Sequence, residues 1–347
     1  MNLDIYFMRR AIQLAKKGFG KTSPNPIVGA VVVKNGEIIG EGFHQKAGTP
    51  HAEVNALNDA GKNAENATIY VTLEPCSTTG RTPPCTEAII SAKIAKVVIG
   101  SLDPNPKHAG NAIKILEKHG IDVKIDVEKE KCLKLNKSFF HWIQTKQPYV
   151  ILKMAMTLDG KIATHTGNSQ WITGKDARKY VQKLRKWADA IMVGGETVRQ
   201  DKPSLTVRNS QNKPLKNWKQ PLRIVASNSM TQKDVENLIS KGTPPMIIQA
   251  STKDQWKKQM QSLGENNITS ILVEGGSELA ASLLSANVIN EIAFFIAPKI
   301  LIGKNAIPVV GGNSPDFLAS AIDINNLKIK KIGSDYLFIG NITNFTK

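Results

Sequence analysis

Cysteine is scarce in this chain, three among 347 residues. Three thiols cannot build a disulfide framework, and their scarcity points to a reducing compartment. Aromatic residues reach only 6%, and no five consecutive residues are basic. The aromatic–basic interleaving of a single-stranded nucleic-acid surface is therefore missing. No apolar run approaches the ~20 residues of a membrane span. The best candidate, residues 292–302, is interrupted by Pro298 and Lys299. The opening M-N-L-D-I-Y-F-M-R-R-A-I-Q-L-A-K-K spreads charge through its apolar positions, so it lacks the h-region of a secretory signal. Gly 26 and Pro 17 are ordinary counts, which excludes collagen-like and low-complexity chains. No fixed-period repeat occurs. The expectation is a cytoplasmic protein with no membrane or nucleic-acid partner.

What the chain does have is length for two cores and a formal charge of +17. The excess is spread, +6 over residues 1–146 and +11 over 147–347. Most of it reads as a lysine-rich solvated surface, and the remainder suits small anionic substrates.

Residues 4–18 carry a helical apolar stripe at Ile5, Met8, Ile12 and Ala15. An apolar run over 27–33 is followed by Lys34-Asn35-Gly36 and a second strand over 37–42, a strong hairpin signal. Helices over 52–60, 86–92 and 112–119 then alternate with strands over 67–73, 96–100 and 122–126. Such alternation predicts an α/β sandwich of about 145 residues. At Thr145-Lys146-Gln147-Pro148 the pattern restarts, placing a boundary between domains 1–146 and 147–347. The second half alternates again, with strands at 149–154, 190–194, 222–226, 246–249, 270–274 and 291–297. Its helices fall at 175–188 and 277–286, and polar residues 208–220 read as a surface loop.

His51-Ala-Glu53 opens a predicted helix, Pro75-Cys76 follows the next strand, and Cys85 stands at the next helix start. One imidazole and two thiolates suit zinc and leave a fourth position for water, as a catalytic site requires. The metal would bring that water's pKa toward neutrality. Glu53 is placed to carry the proton from water to a ring nitrogen and the leaving amine, the arrangement of zinc nucleobase deaminases. Taken singly, His-Ala-Glu is a chance-level match and the cysteines could be small buried residues. Their co-occurrence at successive strand–helix junctions favours the metal. Cys132, in a lysine-rich helix, has no such company.

Cys76 and Cys85 enclose eight residues, S-T-T-G-R-T-P-P, where tRNA- and editing-type deaminases usually carry C-x-x-C. With T-S-P-N-P-I-V-G-A-V-V-V (22–33), E-G-F-H (41–44), P-H-A-E (50–53), V-T-L-E-P-C (71–76) and D-P-N-P (103–106), the chain closely resembles the bifunctional pyrimidine deaminase/reductase family of riboflavin biosynthesis. The resemblance implies a cytidine-deaminase-like α/β/α sandwich followed by a dihydrofolate-reductase-like α/β domain. It implies His51, Cys76 and Cys85 as zinc ligands and Glu53 as proton shuttle. It places Asn25 and His44 in the pyrimidine and ribose-phosphate pocket, and Arg81 on a phosphate. Ser77-Thr78 follow the first cysteine where many relatives carry Ser-His.

The second half has no G-x-G-x-x-G after its opening strand. Gly194-Gly195 and Glu274-Gly275-Gly276 follow strands instead, and alone these pairs read as tight turns. Here too the resemblance decides, through K-M-A-M-T-L-D-G (153–160), S-Q-W-I-T (169–173), G-G-E-T (194–197), D-K-P-S-L-T-V-R (201–208) and V-E-G-G (273–276). It implies an NADPH-dependent reductase with Ala155, Trp171, Thr197, Asp201, Gly275 and Gly276 at the cofactor. Lys153, Ser169, Arg185, Leu205, Arg208 and Glu274 would contact the substrate, the two arginines suiting a 5′-phosphate. A nucleotide-contacting serine follows the 222–226 strand in relatives, and here Ser227-Asn228-Ser229 offers two. The implied cofactors are one Zn2+ per chain and NADPH, and the implied partners are small pyrimidine ribose phosphates. A homo-oligomer is left open. The rivals are a nucleic-acid deaminase, disfavoured by the cysteine spacing and the whole second half, and a zinc scaffold, which would need a fourth protein ligand.

Overall fold

The computed structural model describes residues 2–79, 83–105, 109–239 and 242–342. The chain divides into two compact units, Met1–Lys146 and Gln147–Lys347.

In the first unit β1 (Gly29–Lys34), β2 (Glu37–Phe43), β3 (Thr68–Val71), β4 (Lys96–Ile99) and β5 (Asp122–Lys124) form one sheet in the order β2-β1-β3-β4-β5. The hairpin at Asn35-Gly36 has both central residues at positive φ, 53° and 82°. That is the turn whose twist matches paired strands. β3, β4 and β5 run parallel, joined through helices. The helices are α1 (Leu3–Ala15), α2 (Ala52–Ala60), α3 (Cys85–Ser91), α4 (Asn111–Lys118), α5 (Lys129–Leu135) and α6 (Lys137–Thr145).

Strand residues alternate between two cores, as the two-residue period demands. Ala30, Val32, Ile69, Val71, Val97 and Ile99 pack with Ala52, Ala56 and Leu57 of α2, Ile89 of α3 and Leu116 of α4. Val31, Val33, Tyr70 and Val98 pack with Phe7, Met8 and Ala11 of α1 and Cys132 of α5. The expected three-layer α/β/α sandwich is the result, and Cys132 is a fully buried core thiol.

The second unit carries an eight-stranded sheet ordered β10-β9-β8-β11-β6-β12-β15-β14. Its strands are β6 (Tyr149–Thr157), β8 (Ala190–Gly194), β9 (Leu222–Ala226), β10 (Met246–Ile248), β11 (Ser270–Val273), β12 (Glu291–Ala297), β14 (Ile324–Ile332) and β15 (Asp335–Ile342). β7 (Lys161–Ala163) and β13 (Ile307–Pro308) pair separately. α7 (Lys175–Trp187), α8 (Gly195–Asp201) and α9 (Gln232–Leu238) cover one face. α10 (Lys253–Glu265) and α11 (Ser277–Ser285) cover the other.

From β10 to β12 every pairing is parallel, and both faces are buried. Such strands read as continuous apolar runs, which is why they stand out in the sequence. The departure lies at the end: β15 and β14 add antiparallel to β12. β14 is an edge strand, largely exposed and carrying Lys328, Lys330 and Lys331. Its charges protect the edge and mask the apolar alternation that would have predicted it. Helices α6, α8, α9 and α10 were likewise not anticipated.

Candidate active sites

Helix α2 begins where two glycines of β2 let it approach. A Cβ built on Gly42 would stand 2.3 Å from the Ala52 carbonyl oxygen and 2.4 Å from the Ala56 nitrogen; one on Gly40 would stand 2.3 Å from the Ala56 oxygen. His51 is the N-cap of α2 with extended backbone, and its side chain makes no capping bond. Its Nδ1 lies 3.2 Å from Cys85 Sγ and 3.5 Å from Cys76 Sγ. The three donor atoms all fall within 4.8 Å of one another.

Tetrahedral zinc, with N at about 2.0–2.1 Å and S at about 2.3 Å, sets N–S edges of about 3.6 Å and an S–S edge of about 3.8 Å. The triangle therefore fits zinc in both donor chemistry and size. The Cys85 backbone N–H donates to Cys76 Sγ at 3.2 Å, the kind of second contact that orients a metal ligand. The Cys85 side chain, then the His51 ring and that backbone bond, hold the Cys76 thiol well below its ordinary range against the burial that would raise it.

Glu53 sits in the first turn of α2, two residues after His51, and is 3% exposed. Burial, reinforced by Cys76 and opposed by His51, pushes its carboxyl up to about 7. A carboxyl that titrates near neutrality can both take and return a proton. His44 is buried, its Nδ1 3.2 Å from the Pro50 carbonyl and its Nε2 3.1 Å from the Asn25 amide nitrogen. The two bonds are satisfied together by the tautomer with a proton on Nδ1, Asn25 donating to Nε2. The His44 ring also meets the His51 ring edge-on, centroids 5.2 Å apart. Asn25, His44, His51, Glu53, Cys76 and Cys85 are thus linked in one neighbourhood, whereas Arg81 lies outside the described residues.

Three supporting side chains were not anticipated. Glu74, 4% exposed, accepts backbone N–H groups from Asp103, Gly110 and Ala112, so one carboxylate ties Asp103 and the start of α4 to the segment that leads into Cys76. Asn136 accepts from the Ile27 N–H at 2.8 Å and donates to the Ile27 carbonyl at 2.9 Å, clamping the loop that holds Asn25. Asn55 donates to the Phe43 and Pro50 carbonyls on either side of His44. A carboxylate directly before Pro-Cys, and an asparagine one turn after the histidine, were the available signals. Asn136 had none.

In the second unit, the Arg185 Nε and Nη2 donate to the two Glu274 carboxylate oxygens at 2.6 and 2.8 Å, and Nη1 donates to the Thr206 carbonyl. Both side chains are nearly buried, 12% and 9% exposed. Arg185 holds the Glu274 carboxyl below its usual range against the burial that would raise it. Lys153 on β6 and Arg208 face the same carboxylate. Burial lowers both, while Glu274 opposes the shift. Arg208 donates to Thr206, Asn212 and Ser204 hydroxyl or amide oxygens. The expected phosphate-binding arginines are therefore partnered by protein in this structure, the nearly buried Arg185 by a carboxylate and the half-buried Arg208 by neutral oxygens.

Other expected residues form further groupings. Thr197 Oγ1 lies 3.2 Å from a Cβ built on Gly276, and Gly275, at φ 94°, adjoins Met154 of β6, the neighbour of Ala155. The Ser169 hydroxyl lies 3.4 Å from Asp201 Oδ1. Trp171 is 64% exposed with the Arg178 guanidinium 4.5 Å over its ring, and its carbonyl accepts from Lys299 Nζ. Leu205 is buried at φ 49°. No helix among the described residues is long and apolar enough to cross a membrane.

The chain matches two family models, the RibD C-terminal domain over residues 148–338 and the cytidine and deoxycytidylate deaminase zinc-binding region over residues 1–101. It is 43% identical to riboflavin biosynthesis protein RibD of Actinobacillus pleuropneumoniae, covering 96% of this chain and 94% of that one. It is 41% identical to RibD of Escherichia coli strain K12, covering 96% and 97%. Among solved structures it is similar to Acinetobacter baumannii RibD, with a TM-score of 0.88 and 36% identity over 98% of this chain and 99% of that one. A Thermotoga maritima diaminohydroxyphosphoribosylaminopyrimidine deaminase/5-amino-6-(5-phosphoribosylamino)uracil reductase aligns with a TM-score of 0.83 and 36% identity, covering 98% and 99%.

Proposed function

The chain belongs to the RibD family of bifunctional deaminase/reductases of riboflavin biosynthesis, and from that premise we propose how its residues divide the two reactions. The unit of residues 1–146 performs the deamination and the unit of residues 147–347 the reduction. The first substrate is 2,5-diamino-6-ribosylaminopyrimidin-4-one 5′-phosphate. Its ring carbon loses the 2-amino group as ammonia and gains a carbonyl. The second step reduces the ribosylamino group to ribitylamino.

His51, Cys76 and Cys85 hold zinc. Zinc so held supplies a Lewis acid that makes water nucleophilic near neutral pH. Glu53 takes the proton released by the attacking water and delivers it to the ring nitrogen and the departing amine. Asn25, oriented by His44, presents its remaining amide atoms to the pyrimidine edge, and Arg81 suits the phosphate.

In the second unit, bound NADPH would supply the hydride needed to reduce C1′ of the ring-opened sugar. Ala155, Trp171, Thr197, Asp201, Gly275 and Gly276 line the nucleotide. Ser169, Arg185, Leu205, Arg208 and Glu274 line the substrate. Lys153 stands beside the reacting sugar, its charge balanced by Glu274. Three cations against one carboxylate leave this cluster positive, which favours a phosphate monoester.

The observation that carries the reading is the convergence of one imidazole, two thiols and a buried carboxylate at the start of α2. Small pyrimidine ribose phosphates are the partners, with no role for nucleic acid or membrane. The three free cysteines fit a cytoplasmic location. The test mixes protein, zinc, NADPH and the diaminopyrimidine phosphate, following ammonia and nicotinamide absorbance together. Ammonia release must require zinc, and absorbance loss must require prior deamination. Purified protein with no zinc and full deaminase activity would overturn the assignment.

A further inference from the structure

Helix α7 carries a polar stripe on one face. Arg178, Gln182 and Arg185 stand at i, i+4 and i+7, the spacing of residues that share a helix face. None of the three is exposed, whereas Lys179 and Lys183, between them in sequence, are. Each member of the stripe grips a loop. The Arg178 Nη1 donates to the Thr173 carbonyl at 2.7 Å, and its guanidinium carbon lies 4.5 Å over the Trp171 ring. The Gln182 Oε1 accepts the Arg208 backbone N–H at 2.8 Å. The Arg185 Nη1 donates to the Thr206 carbonyl at 2.9 Å. The backbone on either side of Val207 is thus tied to α7, while Val207 itself donates its N–H to Gln220.

We propose that Arg178 and Gln182 are positioning residues for the reduction. Arg178 sets the Trp171 indole, Gln182 sets the backbone of Arg208, and the helix between them fixes the spacing of the two. The inference rests on the reading that Trp171 lines the nucleotide and Arg208 the substrate. Four residues of α-helix separate the two grips by about 6 Å along a rigid rod, so neither loop can drift without breaking a contact to α7.

The chemistry of each side chain suits its task. Trp171 is 64% exposed, so little packing orients its ring. Lys299 and Asp335 hold the backbone of the same segment, through the Trp171 carbonyl and the Gly174 N–H, and Arg178 adds a contact on the ring itself. A planar guanidinium can lie on an indole face and still donate from its edge to a carbonyl, which a lysine ammonium cannot do at once. The Arg208 guanidinium meets the neutral oxygens of Thr206, Asn212 and Ser204, so where it points depends on how its backbone is held.

The test is steady-state kinetics of the full-length protein with deaminated substrate and NADPH, with melting curves recorded on each variant. Arg178→Met removes the charge and the donor and should raise the KM for NADPH roughly 5- to 10-fold, with a smaller fall in kcat and the substrate KM near its wild-type value. Gln182→Met, close in shape but without the acceptor, should do the reverse, raising the substrate KM by a similar factor and sparing that of NADPH. Arg178→Lys, which keeps one of the two Arg178 contacts, should recover part of the NADPH affinity. Ammonia release by the first unit should be unchanged in all three. A merely structural role would move both KM values together with the melting temperature, and that outcome would overturn the proposal. So would wild-type constants in both methionine variants, or Arg178→Lys no better than Arg178→Met. A wild-type protein that does not oxidise NADPH with deaminated substrate would sink the reductase reading itself, and the positioning roles with it.

Discussion

Replacing Gly42 by Ala adds one methyl group to the first unit, and the structure specifies what that methyl meets. Its carbon would stand 2.3 Å from the Ala52 oxygen, 2.4 Å from the Ala56 nitrogen and 2.9 Å from the Asn55 carbonyl carbon. All three are backbone atoms of α2, so no side-chain rotation relieves the contact. To restore ordinary separation the helix must withdraw by about 1 Å, in a core packed as densely as a crystal. Overpacking of this kind costs about 1–3 kcal/mol, or about 2–4 °C in melting temperature per kcal/mol for a domain near this size. The functional consequence is larger, because α2 has His51 as its N-cap and Glu53 in its first turn, two residues on. Metal ligands tolerate about 0.2 Å of displacement, and a misplacement of about 1 Å costs ~10²-fold in rate. Gly42→Ala should therefore lose roughly two orders of magnitude in ammonia release and bind zinc more weakly. Reduction of pre-deaminated substrate by the second unit should continue at its normal rate. The assay measures both reactions, zinc content and thermal unfolding on the same preparation. A Gly42→Ala protein that deaminates at the wild-type rate, with wild-type zinc and melting behaviour, would refute the claim that close helix–strand approach positions the site.

Glu53→Gln keeps the shape of the side chain but cannot accept a proton, so ammonia release should fall ~10²–10⁴-fold with zinc retained and hydride transfer intact. Loss of reduction in parallel, in a folded protein, would contradict two independent sites. Asn136→Ala leaves the Ile27 N–H and carbonyl without their partner, which should cost about 1–3 kcal/mol and raise the KM of deamination more than it lowers kcat, read by denaturant unfolding and steady-state kinetics. Arg185→Ala strands the buried Glu274 carboxylate and should destabilise the second unit by about 3–5 kcal/mol at neutral pH. Because Glu274 has a lowered pKa when folded, the pair's stabilisation is complete above the ordinary carboxylate range and fades as pH falls through the folded value. The wild-type and Arg185→Ala melting curves should accordingly converge in acid; a constant gap across pH would count against the pair as its source.

Parts of the fold that follow a local period were legible in advance. Helix α2 and strands β8, β9 and β12 lie where the apolar pattern placed them, because buried parallel strands and a two-sided sandwich impose strong, short-range rules on composition. The edge strand β14 was not, since an edge needs lysines more than it needs alternation. α8 begins on Gly195, a poor helix former whose presence is explained by Ser227 pressing on it rather than by any helical signal. In the candidate sites, the metal-type residues were visible as chemistry. The Arg185 pairing with Glu274 was not, and it changes how that arginine is read, from a free phosphate ligand to one whose donors are already engaged.

The sequence by itself determined which chemistry this protein can perform. Imidazole, thiols and carboxylate at successive strand–helix junctions, and the glycine pairs at strand ends, are properties of residue type and short spacing. Only the tertiary structure decided how those groups are held. The Asn136 clamp on Ile27 joins residues 109 apart, Arg185 reaches Glu274 across 89, and Glu74 gathers backbone groups from 29 to 38 residues away. Such bonds leave no periodic trace, because the partner is often a backbone amide that every residue possesses. Which amide is chosen depends on how sheet and helices pack, and packing is settled by the whole chain at once.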